Sequence, residues 1–312
     1  MILPVTRADI EVAAQRIAPY ARATPLLDTH ASVSFKLEFL QHAGSFKTRG
    51  AFNNLLSRKV PPAGVTAASG GNHGAAVAYA ARSLGYAARI FVPEISSPAK
   101  QAKIRSYGAE VIVQGAAYQD ARMLCEAYAH ESGALNVEAF EAVETIAGQG
   151  TVAREWERQL AEAGHKPLDT LLIAAGGGGL IAGVAAWFAG RAKIVGVEPK
   201  GSRALHAALE AGAPVDVPVK SVAADSLGAR RAGTLAFEIA REAVGHVALV
   251  SDAAIIAAQK TLWNDWRMAL EPGGAAAYAA LLSGAYKPAT GERVGVLLCG
   301  ANVDLGALAE IV

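Results

Sequence analysis

The chain has 312 residues, 52% of them hydrophobic and 18% charged, which is enough to bury the core of one large domain or two closely packed domains. A formal net charge of +1 and the lack of any basic run argue against nucleic acid or an anionic membrane as a partner. The two cysteines, Cys125 and Cys299, are far apart and lack metal-ligand spacing, so we predict a cytoplasmic protein without a metal site.

The start of the chain, MILPVTRADIEVAAQRI, has no basic segment followed by an uninterrupted apolar stretch, so we predict no secretory signal. The next informative segment is GSFKTRGAFNN (44–54), which we interpret as the beginning of a helix with Ser45 as its N-cap. Lys47 then lies in the first turn, where a cation opposes the helix dipole at a cost of a few tenths of a kcal/mol. This unfavourable placement points to a chemical reason for the lysine.

The helix face that carries Lys47 also carries Gly50, Ala51 and Asn54, which predicts open space beside the amine. A lysine with such space suits Schiff-base chemistry, because its amine must be partly deprotonated to attack a carbonyl. We expect the nearby Arg49 to add a positive field that favours the neutral amine. The alternative is a surface lysine with a hydrated head, which is the commoner position of any single lysine.

From about residue 65, short apolar runs alternate with longer helical patterns, which is typical of parallel strands joined by helices. Two of the helical patterns end on Gly85 and Gly108, a common way to stop a helix. In open α/β sheets, ligands bind beyond the carboxyl ends of the strands, so the loops at those ends are candidate sites. We predict buried parallel strands at 65–69, 87–92, 109–113, 170–175, 193–198 and 293–299.

The first such loop is SGGNHG (69–74), which precedes a helix that we expect to begin near Gly74. Backbone N–H groups at a helix start suit a carboxylate or phosphate, and Asn72 offers both a donor and an acceptor. The alternative is a simple turn with a serine or asparagine cap, which glycine and asparagine form routinely.

The second loop is AAGGGGLIAG (174–183), whose glycines would let the backbone approach a phosphate closely. The segment from Leu171 to Gly190 carries no charge over about 20 residues, the length of a membrane span. Four glycines at its centre would be costly in a lipid-facing helix, so we favour a buried strand, a loop and a helix.

The same loop contains Gly177, Gly179 and Ala182 at the spacing of a dinucleotide-binding fingerprint, and Glu198 ends the next predicted strand about 20 residues on. A nicotinamide-dependent oxidoreductase is therefore an open alternative, although it leaves Lys47 and the SGGNHG loop unexplained.

The third loop is LLCGANVD (297–304), where Cys299 ends the last strand. By default a cysteine there is a small buried hydrophobic residue.

Taken together, these segments resemble the fold type II pyridoxal-phosphate enzymes, and within them the group of serine/threonine dehydratases (threonine ammonia-lyases) and serine racemases. The resemblance runs from about Thr24 to Asp304 and rests on seven ordered motifs: KLEFLQHAGSFKTRGAFNN, ASGGNHGAAVAYAA, AGQGTVA, AAGGGGLIAG, VGVEP, LEPGGAAA and LLCGANVD. It implies a tryptophan synthase β-like α/β fold with two three-layer, open, twisted and mostly parallel sheets. The implied large domain comprises residues 1–58 and 141–312, the small domain residues 59–140, and the cofactor lies in the cleft between them.

The resemblance also implies roles for individual residues. Lys47 would carry pyridoxal 5'-phosphate as a Schiff base, beside the ring of Phe46. Backbone N–H groups of Gly176, Gly177, Gly178 and Gly179 would hold the phosphate, Asn72 would bind the 3'-oxygen, and Cys299 would face the pyridine nitrogen. The substrate carboxylate would bind at Ser69 and the loop amides, among the residues Ser69, Gly70, Asn72 and His73.

The implied activity is β-elimination from a small β-hydroxy amino acid, L-threonine or L-serine, to give a 2-oxo acid and ammonia, with Lys47 as general base. The alternatives are a different hydroxy amino acid such as 3-hydroxyaspartate, or β-replacement on an activated serine. A cofactor-binding protein without turnover is a third possibility. A homodimer is the family expectation for its assembly.

Three departures from the family pattern refine these expectations. Gly70 stands where racemases carry a second serine that reprotonates Cα, so we expect racemisation to be minor. Glu198 matches a family cation site, but Ala204 replaces an aspartate there, which leaves room for a monovalent ion at most. NVEAF (136–140) replaces a His-Pro-aromatic segment at the cleft, so the substrate is less defined than the reaction.

The chain length leaves no room for a C-terminal regulatory domain, and we expect no inhibition by isoleucine.

Overall fold

The computed structural model describes residues 3–29 and 32–312, so residues 1, 2, 30 and 31 of the expected large domain lie outside the described residues. Within them, a six-stranded sheet has the order β1-β2-β10-β7-β8-β9, with β1 antiparallel to β2 and all other neighbours parallel. Its strands are β1 (Leu26–Asp28), β2 (Val33–Lys36), β7 (Thr170–Ala174), β8 (Lys193–Pro199), β9 (His246–Val250) and β10 (Val294–Leu297).

A second, four-stranded sheet is parallel throughout and has the order β5-β4-β3-β6. All four strands lie between residues 59 and 140: β3 (Val65–Ala68), β4 (Ala88–Val92), β5 (Glu110–Val113) and β6 (Leu135–Asn136). The two parallel-rich sheets confirm the predicted α/β fold class. The six predicted strands are present, whereas β1, β2, β6 and β9 were not predicted.

Helices connect the strands. One large apolar cluster packs around the six-stranded sheet, and two smaller clusters pack against the four-stranded sheet. The helices are α1 (Arg7–Ile17), α2 (Lys47–Ser57), α3 (Asn72–Ser83), α4 (Pro98–Ser106), α5 (Tyr118–Ser132), α6 (Val143–Glu162), α7 (Gly179–Phe188), α8 (Ala204–Ala211), α9 (Ala224–Leu227), α10 (Thr234–Ala243), α11 (Asp252–Trp266), α12 (Pro272–Leu282) and α13 (Leu305–Ala309). The uncharged segment 171–190 forms β7, a glycine loop and α7. Among the described residues, no helix combines the length and the apolar character that a membrane span requires.

The start of α2 differs from the sequence prediction. Ser45 is not its N-cap: it has extended backbone and forms a β-bridge with Gly300, and its buried hydroxyl has no partner among the described residues. Phe46 precedes the helix and donates its N–H to the carbonyl of Cys299 at 3.1 Å. Long-range pairing with residues 299–300, rather than a local serine cap, therefore sets where Lys47 enters the helix.

The small residues that follow Lys47 on its face of α2 contact another helix. A Cβ on Gly50 would lie 2.4 Å from the side-chain nitrogen of Gln149 in α6, and Asn54 donates to Thr145 at 2.8 Å. Gly148 of α6 faces Gly50 in turn, with a virtual Cβ 2.7 Å from its Cα. These small residues therefore serve close packing of α2 against α6, and they are not the source of open space beside the Lys47 amine.

Arg49 does not act as an uncompensated positive charge, contrary to the sequence expectation. Its guanidinium is almost fully buried and binds Glu38 at 2.6 Å and Glu155 at 3.0 Å. Lys36, which is completely buried at the end of β2, binds Glu155 at 2.6 Å and the carbonyl of Thr24 at 2.6 Å. This buried charge network ties β2, α2 and α6 together behind the glycine loop.

Candidate active site

The glycine loop between β7 and α7 presents backbone rather than side chains. Gly178 directly precedes α7 and has a φ of +93°, in the left-handed region that favours glycine. A Cβ on Gly177 would lie 2.4 Å from the ring of Phe140. Within residues 3–29 and 32–312, the N–H groups of residues 176–179 have no hydrogen-bond acceptor. Unsatisfied donors at the start of a helix form a binding site for a phosphate.

Lys47 brings a primary amine to this loop. Its Nζ donates a hydrogen bond to the carbonyl of Ala139 at 2.7 Å and lies 5.2 Å from the centre of the Phe46 ring. The surrounding protein desolvates the amine and lowers the pKa of Lys47 to about 8, although Cys299 acts in the opposite direction. An amine with this pKa is partly uncharged near neutral pH, as attack on a carbonyl requires.

Cys299 lies directly after β10, opposite the glycine loop. It is 5% exposed, and its Sγ lies 3.7 Å from the carbonyl oxygen of Gly273. Burial raises the pKa of the Cys299 thiol, and the carboxyl of Glu271 raises it further. The group is therefore a neutral thiol near neutral pH, which can hydrogen-bond to a ring nitrogen without donating its proton fully.

One cavity brings these groups together. All the residues predicted to hold the cofactor line it, together with Phe140, Glu271 and residues of the 226–227 segment: Phe46, Lys47, Asn72, Gly176, Gly177, Gly178, Gly179 and Cys299. The predicted residues come from four different parts of the chain, so the convergence reflects the fold rather than sequence proximity. We name this space the glycine-loop cavity.

A second cavity of about 250 Å³ adjoins the first and opens toward α4. Gly70, Gly71 and Asn72 form one wall of it, and Lys100 and Asp225 lie across its mouth with their charged atoms 2.6 Å apart. Among the described residues, Asn72 and Glu271 are shared by the two cavities. We name this space the outer cavity, and it is where the predicted carboxylate-binding loop is accessible.

Two predicted substrate-binding residues are not brought to either cavity wall. Ser69 uses its hydroxyl to accept the N–H of Gly71 at 3.1 Å. His73 is 5% exposed and is hydrogen-bonded through Nε2 to the carbonyl of Val137 at 2.7 Å. The pKa of His73 is lowered to about 3, mainly by burial and also by the charge of Lys47. Its imidazole is therefore neutral near neutral pH, and the residue has a structural role. The helix α3 also begins at Asn72, two residues before the predicted position.

Sequence reasoning missed two residues of the site. Glu271 lay in the quoted motif LEPGGAAA, but a single glutamate before a proline carries no local signal of burial. Phe140 lay in the divergent segment NVEAF, which indicated only a change at the cleft. Its ring packs on the glycine loop, where a Cβ on Gly179 would lie 2.9 Å from the Phe140 Cβ. Neither contact could be inferred without the tertiary structure.

Glu198 lies away from both cavities and helps to begin α8. Its carboxylate accepts the N–H of Leu205 at 3.0 Å and that of His206 at 2.8 Å. It is fully buried, and burial raises the pKa of its carboxyl to about 7. Both oxygens thus have protein donors, which explains the residue structurally without a nucleotide ribose.

The family model described as pyridoxal-phosphate dependent enzyme matches residues 16–300. The chain belongs to this family. The resemblance seen in the motifs is thereby confirmed, and the interpretation of the glycine loop as a nicotinamide-dinucleotide site is rejected.

Individual members of the family are similar over nearly the whole chain. A phenylserine dehydratase of Ralstonia pickettii is 39% identical, across 95% of this chain and 92% of that protein. A biosynthetic L-threonine dehydratase of Mycobacterium tuberculosis is 37% identical, across 99% of this chain and 75% of that protein. Among solved structures, maize serine racemase has a TM-score of 0.90 at 33% identity and covers 98% of this chain and 96% of its own.

The residues of the glycine-loop cavity fit pyridoxal phosphate. The unpaired N–H groups of residues 176–179 suit its phosphate, and the desolvated amine of Lys47 suits its aldehyde carbon. Asn302 donates to the side-chain oxygen of Asn72 at 2.6 Å, and Asn72 Nδ2 uses one N–H on Glu271, so its second N–H is available to donate to a ligand. A donor at this position suits the 3'-oxygen, and the neutral thiol of Cys299 suits the ring nitrogen.

Proposed function

We propose that the protein is a dehydratase that removes water and ammonia from a small β-hydroxy amino acid, L-threonine or L-serine, and releases a 2-oxo acid. The observation that carries this proposal is the desolvated amine of Lys47, with its pKa lowered to about 8, beside the unpaired N–H groups of the glycine loop. The dehydratases among the similar proteins support it.

The bound cofactor would supply an electron sink for the bond-breaking at the amino acid. The chain's own residues do the rest. The N–H group of Gly70, which unlike that of Gly71 has no acceptor among the described residues, binds the substrate carboxylate, and Asn72 donates its remaining N–H toward the glycine-loop cavity. The amine of Lys47 accepts the Cα proton as general base. The neutral thiol of Cys299 leaves the ring nitrogen without a full positive charge, which favours prompt elimination over transamination.

Purified protein supplied with pyridoxal phosphate is expected to be yellow and to lose its visible absorption on borohydride treatment, because Lys47 carries the cofactor as an imine. A panel of L-serine, L-threonine, phenylserine and 3-hydroxyaspartate, assayed for 2-oxo acid, then identifies the substrate. L-alanine, which has no leaving group, is the control and should give no 2-oxo acid by elimination. A colourless protein that binds NADH would contradict the proposal.

We expect D-serine to form much more slowly than pyruvate from L-serine. The position of the second serine of racemases is Gly70, and a Cβ there would lie 2.0 Å from the Ser96 hydroxyl and 2.9 Å from the Ser96 Cβ. Gly70→Ser alone should therefore lower thermal stability without increasing racemisation, whereas the double variant Gly70→Ser/Ser96→Gly should fold normally. Chiral chromatography of the products checks this. D-serine formed by the unaltered protein as fast as pyruvate would refute the prediction.

A further inference from the structure

Glu271 is a buried carboxyl group at the boundary between the two cavities. It lies immediately before α12, and its side chain is 7% exposed. Its Oε1 accepts a hydrogen bond from Asn72 Nδ2 at 2.5 Å. Since Glu271 and Asn72 line both cavities, any amino acid that reaches Lys47 through the outer cavity must pass the Glu271 carboxyl.

The surrounding chain is built to accommodate this carboxyl. A Cβ on Gly300 would lie 2.0 Å from Glu271 Oε1, so the glycine at that position leaves the space that the carboxylate occupies. On the other side, Asn302 donates to Asn72 Oδ1 and to the carbonyl of Ala43, which fixes the Asn72 amide with its N–H groups toward Glu271. The carboxyl therefore has one defined donor and a free second oxygen.

We propose that Glu271 is the acid that protonates the β-hydroxyl group of the substrate as the carbon–oxygen bond breaks. This inference rests on the proposed dehydratase function. The proton moves from the Glu271 carboxyl to the hydroxyl oxygen, the Cβ–O bond breaks and water leaves. Lys47 holds the proton removed from Cα, and the Glu271 carboxylate regains a proton from solvent through the outer cavity.

The charges around Glu271 support this role. Burial is the main influence and raises the pKa of Glu271 to about 7; Asn72 and Lys100 lower it, and Asp225 raises it. The adjacent Cys299 thiol is neutral and adds no charge. The acid is therefore protonated in part near neutral pH, while Lys47 opposite is deprotonated in part. Two groups whose pKa values are moved toward neutrality from opposite sides form a matched acid and base.

The test is a comparison of leaving groups in the holoenzyme. Glu271→Gln keeps the acceptor for Asn72 but holds no transferable proton, so turnover of L-serine should fall by about 10²- to 10³-fold. Chloride needs no proton to leave, so elimination from β-chloro-L-alanine should fall far less. The falling limb that Glu271 gives the L-serine pH profile, as the acid loses its proton above pH 7, should disappear. Glu110→Gln, an exposed glutamate on β5, is the control and should leave both rates unchanged.

A second measurement does not depend on turnover. The infrared difference spectrum between the unaltered protein and Glu271→Gln should contain the carbonyl band of one protonated carboxyl at low pH, and this band should vanish as pH rises through neutrality. The buried Glu198 carboxyl, whose pKa is also raised to about 7, is common to both proteins and cancels in the difference. Equal losses with L-serine and β-chloro-L-alanine, or the absence of this difference band, would overturn the acid role while leaving the dehydratase function standing. A protein that eliminates from neither substrate would overturn both. If Glu271→Gln folds poorly, Glu271→Ala, which also lacks a transferable proton, provides the same leaving-group comparison.

Discussion

Lys47→Ala is expected to abolish the visible absorption of the cofactor-loaded protein and to lower turnover by at least about 10³-fold. No other primary amine lines the glycine-loop cavity in the described part of the chain, so nothing replaces Lys47 as covalent attachment or as general base. Absorption spectra after removal of free cofactor measure the first effect, and 2-oxo acid formation from L-serine measures the second.

Lys59→Ala is the matched control for this substitution. Lys59 lies just after α2 and is exposed, so its replacement should leave both colour and turnover unchanged. The Lys47 variant should also keep its unfolding temperature close to that of the parent without cofactor, because Lys47 makes no ion pair with the described residues and loses only its hydrogen bond to the carbonyl of Ala139. A Lys47 variant that still turns over at more than a tenth of the parent rate would remove the basis of the proposed function.

Glu38→Ala is expected to lower the free energy of unfolding by about 3–5 kcal/mol, because two buried cations, Arg49 and Lys36, would then share the single carboxylate of Glu155. Glu38 is fully buried and pairs with Arg49, whose guanidinium cannot reach water. Urea denaturation of the variant and the parent, both without cofactor, measures the difference. The partly exposed pair of Glu11 and Arg154 supplies the control, since Glu11→Ala should cost less than about 1 kcal/mol.

A double variant distinguishes how much of the stability loss comes from unpaired charge and how much from lost side-chain packing. Glu38→Leu with Arg49→Met replaces both charges by apolar groups, so it should lose less stability than the sum of the two single substitutions. Equal losses for Glu38→Ala and Glu11→Ala would show that the buried network contributes no more than a surface ion pair.

Much of the fold and site could be predicted from the sequence because the signals were local. The runs 170–175 and 193–198 are apolar throughout and short, as strands buried on both faces must be, and they became β7 and β8. The glycine loop could be predicted equally well, because four successive glycines between a strand and a helix have few uses other than bringing the backbone close to a ligand. Lys47 stood out through its unfavourable place in a first turn.

The errors of the sequence prediction arose at positions whose structure is determined by contacts with segments distant in sequence. β2 carries Lys36 in a completely buried position, which local patterning treats as surface, and the acid that allows it is Glu155 on α6. Ser45 has the composition of a cap, but pairing with Gly300 overrides that preference. His73 has catalytic chemistry, yet its Nε2–H donates to the carbonyl of Val137, which makes its role structural. In each case the deciding partner is remote in sequence.

The bridge between residues 45–46 and residues 299–300 has a consequence for biosynthesis. Lys47 emerges from the ribosome well before the residues that hold its helix in place, which lie with β10 in the middle of the large sheet and are made about 250 residues later. At 5–20 residues per second, the lysine waits on the order of ten seconds to a minute for them. We therefore expect the nascent chain to bind no cofactor until residues 299–300 have left the ribosome, so that the supply of cofactor matters only from that point onward.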